Sequence, residues 1–590
     1  MRSMVHKTGK GPGHVVPGFS LSLGITLAML SMLILIPLAS ILGYGLRLSP
    51  ERWGEILTAS NVQSAFFTSI TCALEAALIN AVTGTALAWV LVRYDFPCRR
   101  ILDGLIELPF ALPTAVAGIT MSRMYSTAGL PGQLLGKLGI KVSYTRTGIV
   151  LALVFTGIPF VVRTVQPVLE KLDPQVEEAA GVLGSSPFRT FRRVIMPELM
   201  PAVLTGFSLA LARGIGEYGS VIYISGNSAR EHTQVISYVI MQKLNYLDYE
   251  EASAIALLML GISFLILLGI GVLRRRQEKR NRLSAGYGPQ HGLMGRKPDR
   301  GGRILILACA AYLFLMLVLP LIYVQIGAFS KGVGFWRETL MTDEVQSALR
   351  VTLMATAIAV TVNTFFGLVA SWALTRFTFR GRQVLTALID LPFSVSPVIA
   401  GLSYIMMFGR SGWAAPVLEW LEELLGTQVR IVFALPGVML ATIFVTFPFV
   451  FRELVPVLET VGREEEETAA LMGAGGLRIF RRITLPHIRW ALMYGIVLCA
   501  ARAMGEFGAV HALSKTRGET FTLPLEIDAL YLSGTADSIT AAFAVSSVLV
   551  LLALVLLVLR NVLEYRASES GVSQGDRYPD SSSESGGQVP

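Results

Sequence analysis

Residues 173–197 read Asp173-Pro174-Gln175-Val176-Glu177-Glu178-Ala179-Ala180-Gly181-Val182-Leu183-Gly184-Ser185-Ser186-Pro187-Phe188-Arg189-Thr190-Phe191-Arg192-Arg193-Val194-Ile195-Met196-Pro197. A second stretch, 289 positions further on, carries Glu467-Thr468-Ala469-Ala470-Leu471-Met472-Gly473 and reaches Ile483-Thr484-Leu485-Pro486. Local chemistry predicts two short helices joined by a sharp turn. Asp173 caps the first helix, Pro174 suits its first position, and the acids at 177–178 sit near its positive end. Gly184 and Gly473 take the left-handed conformation that ends it. Ser186-Pro187 restarts the chain, and Pro197 and Pro486 are expected to stop it again. Phe188 and Phe191, with Ile479 and Phe480, make a rigid, partly apolar projection suited to a groove on another protein.

These stretches sit in a very apolar chain. Of 590 residues, 53% are hydrophobic and 15% charged, and the mean hydropathy is +0.58. Runs such as Leu21–Leu46 and Ile304–Phe329 exceed the roughly 20 residues that cross a hydrocarbon core. About twelve membrane spans are predicted, near 19–46, 67–92, 105–125, 148–170, 201–225 and 252–273, then 303–329, 350–375, 388–408, 431–455, 490–513 and 540–561. All are helices, because backbone groups in lipid must be satisfied within the segment. The first run is too long for a signal peptide and is read as a retained helix.

Charge placement sets orientation. Arg93, Arg99 and Arg100, then Lys171, Arg189, Arg192 and Arg193, then the basic run from Arg274, fall on one side. By the positive-inside rule that side is the cytoplasm, and both termini lie there. The net charge of +9 is thereby read as topological, with no nucleic-acid partner.

The two quoted stretches belong to a long internal repeat. Leu108-Pro109-Phe110 recurs as Leu391-Pro392-Phe393, and Asn80, Gly84, Trp89 and Arg93 recur as Asn363, Gly367, Trp372 and Arg376, all 283 positions on. Downstream the offset is 289: Pro159-Phe160-Val161-Val162-Arg163 matches Pro448-Phe449-Val450-Phe451-Arg452, and Arg213-Gly214-Ile215-Gly216-Glu217-Tyr218-Gly219 matches Arg502-Ala503-Met504-Gly505-Glu506-Phe507-Gly508. The halves share one orientation, so they form a parallel repeat about an axis normal to the membrane. The Leu-Pro-Phe motifs are expected to break or bend the third helix of each half.

The pattern Glu-Ala-Ala, three residues, Gly, nine residues, Ile-x-Leu-Pro resembles the signature loop of binding-protein-dependent ABC importer permeases. Glu178, Ala179, Ala180, Gly184 and Pro197 fit it, as do Glu467, Ala469, Gly473 and Pro486, with Thr468 the one departure. The resemblance implies an all-α integral membrane permease of the type I, MetI-like kind, in two six-helix repeats, whose loops dock on a cytoplasmic ABC ATPase dimer. It also implies an extracytoplasmic solute-binding protein and a bacterial inner-membrane location. The implied organisation is an N-terminal segment with the first helix at 1–60, a first permease unit at 61–273, a flexible basic linker at 274–302, a seventh helix and loop at 303–344, a second unit at 345–562, and a disordered polar tail at 563–590.

A finer resemblance joins the first half, through Gly214-Ile215-Gly216-Glu217-Tyr218-Gly219 and Ile224-Ser225-Gly226-Asn227, to the T subunit of sulfate/thiosulfate permeases. Gly505-Glu506-Phe507-Gly508 and Thr522-Leu523-Pro524-Leu525-Glu526-Ile527 resemble the W subunit. His511-Ala512-Leu513-Ser514-Lys515 departs from the usual Ser-Gly stretch. Molybdate or tungstate, ferric iron and thiamine are the alternative cargoes, and an ATPase-independent secondary transporter or channel is the alternative class.

No Gly-Lys-Ser/Thr phosphate loop is found, so ATP-Mg is expected on the partner and catalytic residues are not expected here. Four scattered cysteines and six scattered histidines give no metal site. Arg213/Glu217 and Arg502/Glu506 are i,i+4 pairs at membrane depth. They read either as a gate or anion path, or as intrahelical ion pairs that stabilise a glycine-rich, kink-prone helix. Arg163 and Arg452 are expected near the cytoplasmic end, snorkelling.

Overall fold

The computed structural model describes residues 18–172, 174–281, 298–410 and 412–575. The Asp173 cap, the linker beyond 281 and the tail beyond 575 lie outside the described residues. Among those described, ten helices are long and apolar enough to cross a membrane. They are α1 (Phe19–Gly45), α2 (Ser60–Arg93), α3 (Arg146–Lys171), α4 (Pro187–Ile215), α5 (Tyr249–Leu273), α6 (Arg300–Ala328), α7 (Asp343–Arg376), α8 (Leu435–Val461), α9 (Gly476–Met504) and α10 (Ala536–Leu563). Helical backbone continues beyond α5 to Asn281 and beyond α10 to Gly575.

The expected spans 105–125 and 388–408 are broken rather than straight. Arg99–Ala111 and Thr114–Met124 meet at 104°, with Leu112 extended just before Pro113. In the second half Leu391–Ser394 and Pro397–Phe408 are separated at Val395 and Ser396, both extended. The residue before a proline is pushed out of helical geometry by the ring, so the break follows directly from the motif.

Prolines act differently inside the long helices. Among the described residues four π-turns occur, at Ser31–Leu35, Phe191–Ile195, Phe314–Val318 and Phe480–Thr484. Each is followed two residues later by a proline: Pro37, Pro197, Pro320 and Pro486. A proline has no N–H for the carbonyl four residues back and its ring crowds that carbonyl; one widened turn relieves both. Pro197 and Pro486 therefore do not stop a short helix, as the sequence reading expected. The chain after Gly184 and Gly473 enters α4 and α9 directly.

Within each half the second, third and fourth long helices pack together: α2, α3 and α4, and likewise α7, α8 and α9. Asn363 donates from Nδ2 to Thr446 Oγ1 (2.8 Å) and the Ile443 carbonyl (3.2 Å), tying α7 to α8. The outer helices cross over. α1 packs on α7 and on Pro397–Phe408 of the second half, while α6 packs on α2 and on Thr114–Met124 of the first. Tyr404 donates its hydroxyl to the Leu33 carbonyl (2.8 Å), the carbonyl that an N–H at position 37 would bond in a regular α-helix.

Candidate functional site

The two elbows end the same way. Pro174–Val182 and Glu464–Leu471 are each closed by a glycine in left-handed conformation, Gly184 at φ 78° and Gly473 at φ 87°. Ser185 N–H bonds the Ala180 carbonyl (3.0 Å) and Ala474 N–H the Ala469 carbonyl (3.0 Å), with Gly184 to Gly181 and Gly473 to Ala470 inside them at 2.9 Å. This paired closure explains the fixed spacing from Ala180 to Gly184 and from Ala469 to Gly473.

The exposed apolar tips are matched across the repeat. Val182, Leu183 and Phe188 in one elbow, and Leu471, Met472 and Leu477 in the other, are 73–89% exposed. Phe188 was expected there; Phe191, Ile479 and Phe480 were too, but they turn inward. Phe191 packs edge-on against Trp89 (5.4 Å), Phe480 lies 4.9 Å from Trp372, and Ile479 is buried. The π-turns start at Phe191 and Phe480, and the residues there already belong to the helix that enters the bundle. Glu178 and Ala179 are exposed and Glu467 is half-buried.

The residue before each signature glutamate anchors its elbow. Glu177 pairs with Arg93 at the end of α2, and Glu466 pairs with Arg376 at the end of α7 (2.6 Å). The second pair is fully buried: Arg376 also donates to the Leu458 carbonyl (2.7 Å) and Thr484 to Glu466 (2.6 Å). Sequence reasoning singled out neither pair. The signal was there, since both partners recur at the two repeat offsets.

At the centre of the molecule α4 and α9 end at the Gly-Glu-x-Gly segments. Arg213 and Glu217 pair at 2.7 Å, Arg502 and Glu506 at 2.5 Å. Each carboxylate also accepts from the start of the next short helix: Glu217 from Ser220 N–H (3.0 Å) and Glu506 from Ala509 N–H (2.9 Å). The pairs thus rivet two helix segments across a break. Each break faces the Leu-Pro-Phe break of the other half, because Gly216 abuts Ser396 and Gly505 abuts Pro113. Between them Tyr218 and Phe507, equivalent residues, stack with centroids 5.9 Å apart and planes 9° from parallel. His511 adds a third ring, 5.1 Å from Phe507, with Nδ1 3.2 Å from the Tyr218 hydroxyl.

Two to three turns back along α4 and α9 from this stack, toward the elbows, lies a cavity of about 330 Å³ between the halves. Its wall includes Phe110, Phe160, Phe393 and Phe449, two equivalent aromatic pairs at 5.2 and 5.1 Å. Arg163 and Arg452 line it too. They do not snorkel: Arg163 holds Glu107 (2.7 Å) and Asp103 (2.8 Å), and Arg452 holds Asp390 (2.7 Å) while lying 4.0 Å over Phe393. Glu107 and Asp390 are themselves 283 positions apart, so the arginine–carboxylate pairs obey the repeat. Neither Arg213/Glu217 nor Arg502/Glu506 is part of this wall.

Comparison with known proteins agrees with this two-fold construction. The family model described as binding-protein-dependent transport system inner membrane component matches twice, at residues 81–283 and 363–569. The sulfate transport system permease protein CysT of Salmonella typhimurium is 45% identical over 266 residues, 45% of this chain and 96% of that protein. CysW of Escherichia coli, also named a sulfate transport system permease protein, is 47% identical over 253 residues, 42% of this chain and 84% of that protein. CysW of Synechocystis is 46% identical over 264 residues, 45% of this chain and 92% of that protein. The chain therefore belongs to the binding-protein-dependent transport system inner membrane component family and carries two of its permease units, of the sulfate-permease T and W kind, in one polypeptide.

Proposed function

We propose that this chain is the transmembrane permease of an ATP-binding-cassette importer that brings sulfate or thiosulfate into the cytoplasm, using ATP-Mg hydrolysed by a separate ATPase dimer. The observation that carries this reading is the pair of elbows. Each presents three exposed apolar side chains around a glycine-closed turn, and each is tied by an arginine–glutamate pair to a long membrane helix. A push on either tip is thereby delivered to α2 or α7. The ATPase dimer docks under 171–197 and 460–486, through the elbows that hold Glu178, Ala179, Ala180, Glu467 and Ala469. A soluble binding protein delivers the anion on the opposite face. The chain lies in a bacterial inner membrane with both termini cytoplasmic. The Tyr218/Phe507 stack, braced by Arg213/Glu217 and Arg502/Glu506, is the closed gate.

The sulfate assignment is supported by the relatives named sulfate permeases. The test is uptake of radiolabelled sulfate in cells deleted for this chain, with thiosulfate, molybdate and tungstate as competitors. Sulfate uptake that returns with the intact chain and is blocked by thiosulfate is expected. Uptake independent of the chain, or blocked only by molybdate and tungstate, overturns the cargo. Transport by the purified chain in liposomes without an ATPase overturns the class.

A further inference from the structure

The cavity between the halves has two side chains that break the repeat, Tyr494, where the first half has Thr205, and Glu453. Equivalent positions around it match: Phe110 with Phe393, Phe160 with Phe449, Arg163 with Arg452, and Leu209 with Leu498. Thr164 in the first half corresponds to Glu453 in the second, and both line the cavity. Thr164 is spent locally, donating to the Phe160 and Val161 carbonyls at 3.0 Å. Glu453 forms no hydrogen bond or ion pair among the described residues.

The charges around it make that carboxylate conspicuous. Arg163 is taken by Asp103 and Glu107, Arg452 by Asp390, and Arg560 from α10 pairs with the same Glu107. Tyr494 offers its hydroxyl to Glu107 as well (3.3 Å). Three guanidinium groups thus face Asp103, Glu107, Asp390 and the uncommitted Glu453. A wall with free arginines would bind an oxyanion bidentately and hold it. Here each arginine already has a carboxylate, and one further carboxylate points into the space. Passage through a membrane protein requires sites weak enough to leave as well as to enter.

We propose that Glu453 is a discharge residue: its carboxylate keeps the inner cavity from retaining an oxyanion, so that cargo passing the Tyr218/Phe507 stack is released instead of captured by Arg163 and Arg452. This rests on the reading that the cargo is an oxyanion. In its ionised form Glu453 acts by repulsion in a confined space where a charge is poorly screened. Because Thr164 shares the cavity, the charge could act equally well from the first half.

The test uses the full chain in nanodiscs with inorganic sulfate as probe, measured by equilibrium dialysis of the radiolabelled ion. Glu453→Gln keeps the shape and Glu453→Thr copies the first half. Both are expected to bind sulfate at least about tenfold more tightly than the unaltered chain, the effect of removing one nearby like charge at low effective dielectric. Thr164→Glu in the Glu453→Thr background is expected to restore weak binding. In the assembled importer, both single variants are expected to lower the maximal uptake rate with little change in half-saturating sulfate. Equal sulfate binding in all variants overturns the proposal, as does tight binding that persists after Thr164→Glu. If cells import sulfate without this chain, the cargo reading fails on its own, while the nanodisc comparison still decides the role of Glu453.

Discussion

Ser396 donates its hydroxyl to the Gly216 carbonyl across the interface between the halves, at 2.8 Å. The contact is so close that a Cβ on Gly216 would sit 3.1 Å from Ser396 Cα, and a Cβ on Gly505 would sit 3.1 Å from Pro113 Cα. Equivalent backbone breaks therefore press on each other in both directions. Gly216→Val and Gly505→Val are expected to wedge the halves apart at a cost of about 1–3 kcal/mol each. Melting of the detergent-solubilised chain reads this, and an unchanged midpoint would contradict the reciprocal packing.

The elbow glycines call for a different kind of variant. Nothing lies within 4 Å of a Cβ at Gly184 or Gly473, so any effect there comes from backbone strain alone. Gly184→Val and Gly473→Val each cost roughly 1–2 kcal/mol in the left-handed turn. The expected outcome is a chain that inserts and melts almost normally but no longer pulls down the proposed ATPase partner. Wild-type recovery of the ATPase would remove the elbows from the coupling route.

The anchors are unequal, and their variants should be too. Arg376 and Glu466 are buried, whereas the Glu177 side chain is 29% exposed. Glu466→Gln leaves a buried guanidinium without its counter-charge and is expected to cost about 3–5 kcal/mol. Glu177→Gln, nearer solvent, should cost less than half of that. Urea or thermal unfolding ranks the two, and the reverse order would show that the second elbow is not the more firmly held.

Tyr404 and Pro37 form a compensating pair across helices. Tyr404→Phe removes the hydroxyl bond to the Leu33 carbonyl and is expected to destabilise by about 1 kcal/mol. In a Pro37→Ala background the helix regains its own N–H at position 37, and the cost of Tyr404→Phe should shrink toward zero. A double-mutant cycle with no coupling would refute the assignment.

Much of this architecture could be read from the residues. The repeat offsets 283 and 289 follow from matching residues alone, and the elbows, the left-handed Gly184 and Gly473, and the break at Leu-Pro-Phe each have a local cause in proline or glycine geometry. The directions of side chains within the elbow were harder. Phe191 and Phe480 look as exposed in sequence as Phe188, and only the π-turns imposed by Pro197 and Pro486 rotate them onto Trp89 and Trp372. The partners of Arg163 and Arg452 were hidden for another reason. Asp103 and Glu107 lie on the far side of a helix break, where periodicity gives no face. The crossing of α1 and α6 was invisible because their faces are apolar all round, toward lipid and protein alike.

That crossing has a consequence for how the protein is assembled. With each outer helix clasping the opposite half, the halves are latched by their own arms, and severing the peptide joining them after insertion should not let them drift apart. Covalent continuity then supplies something other than strength: it guarantees that every molecule is born with one copy of each kind, so mismatched twins never form.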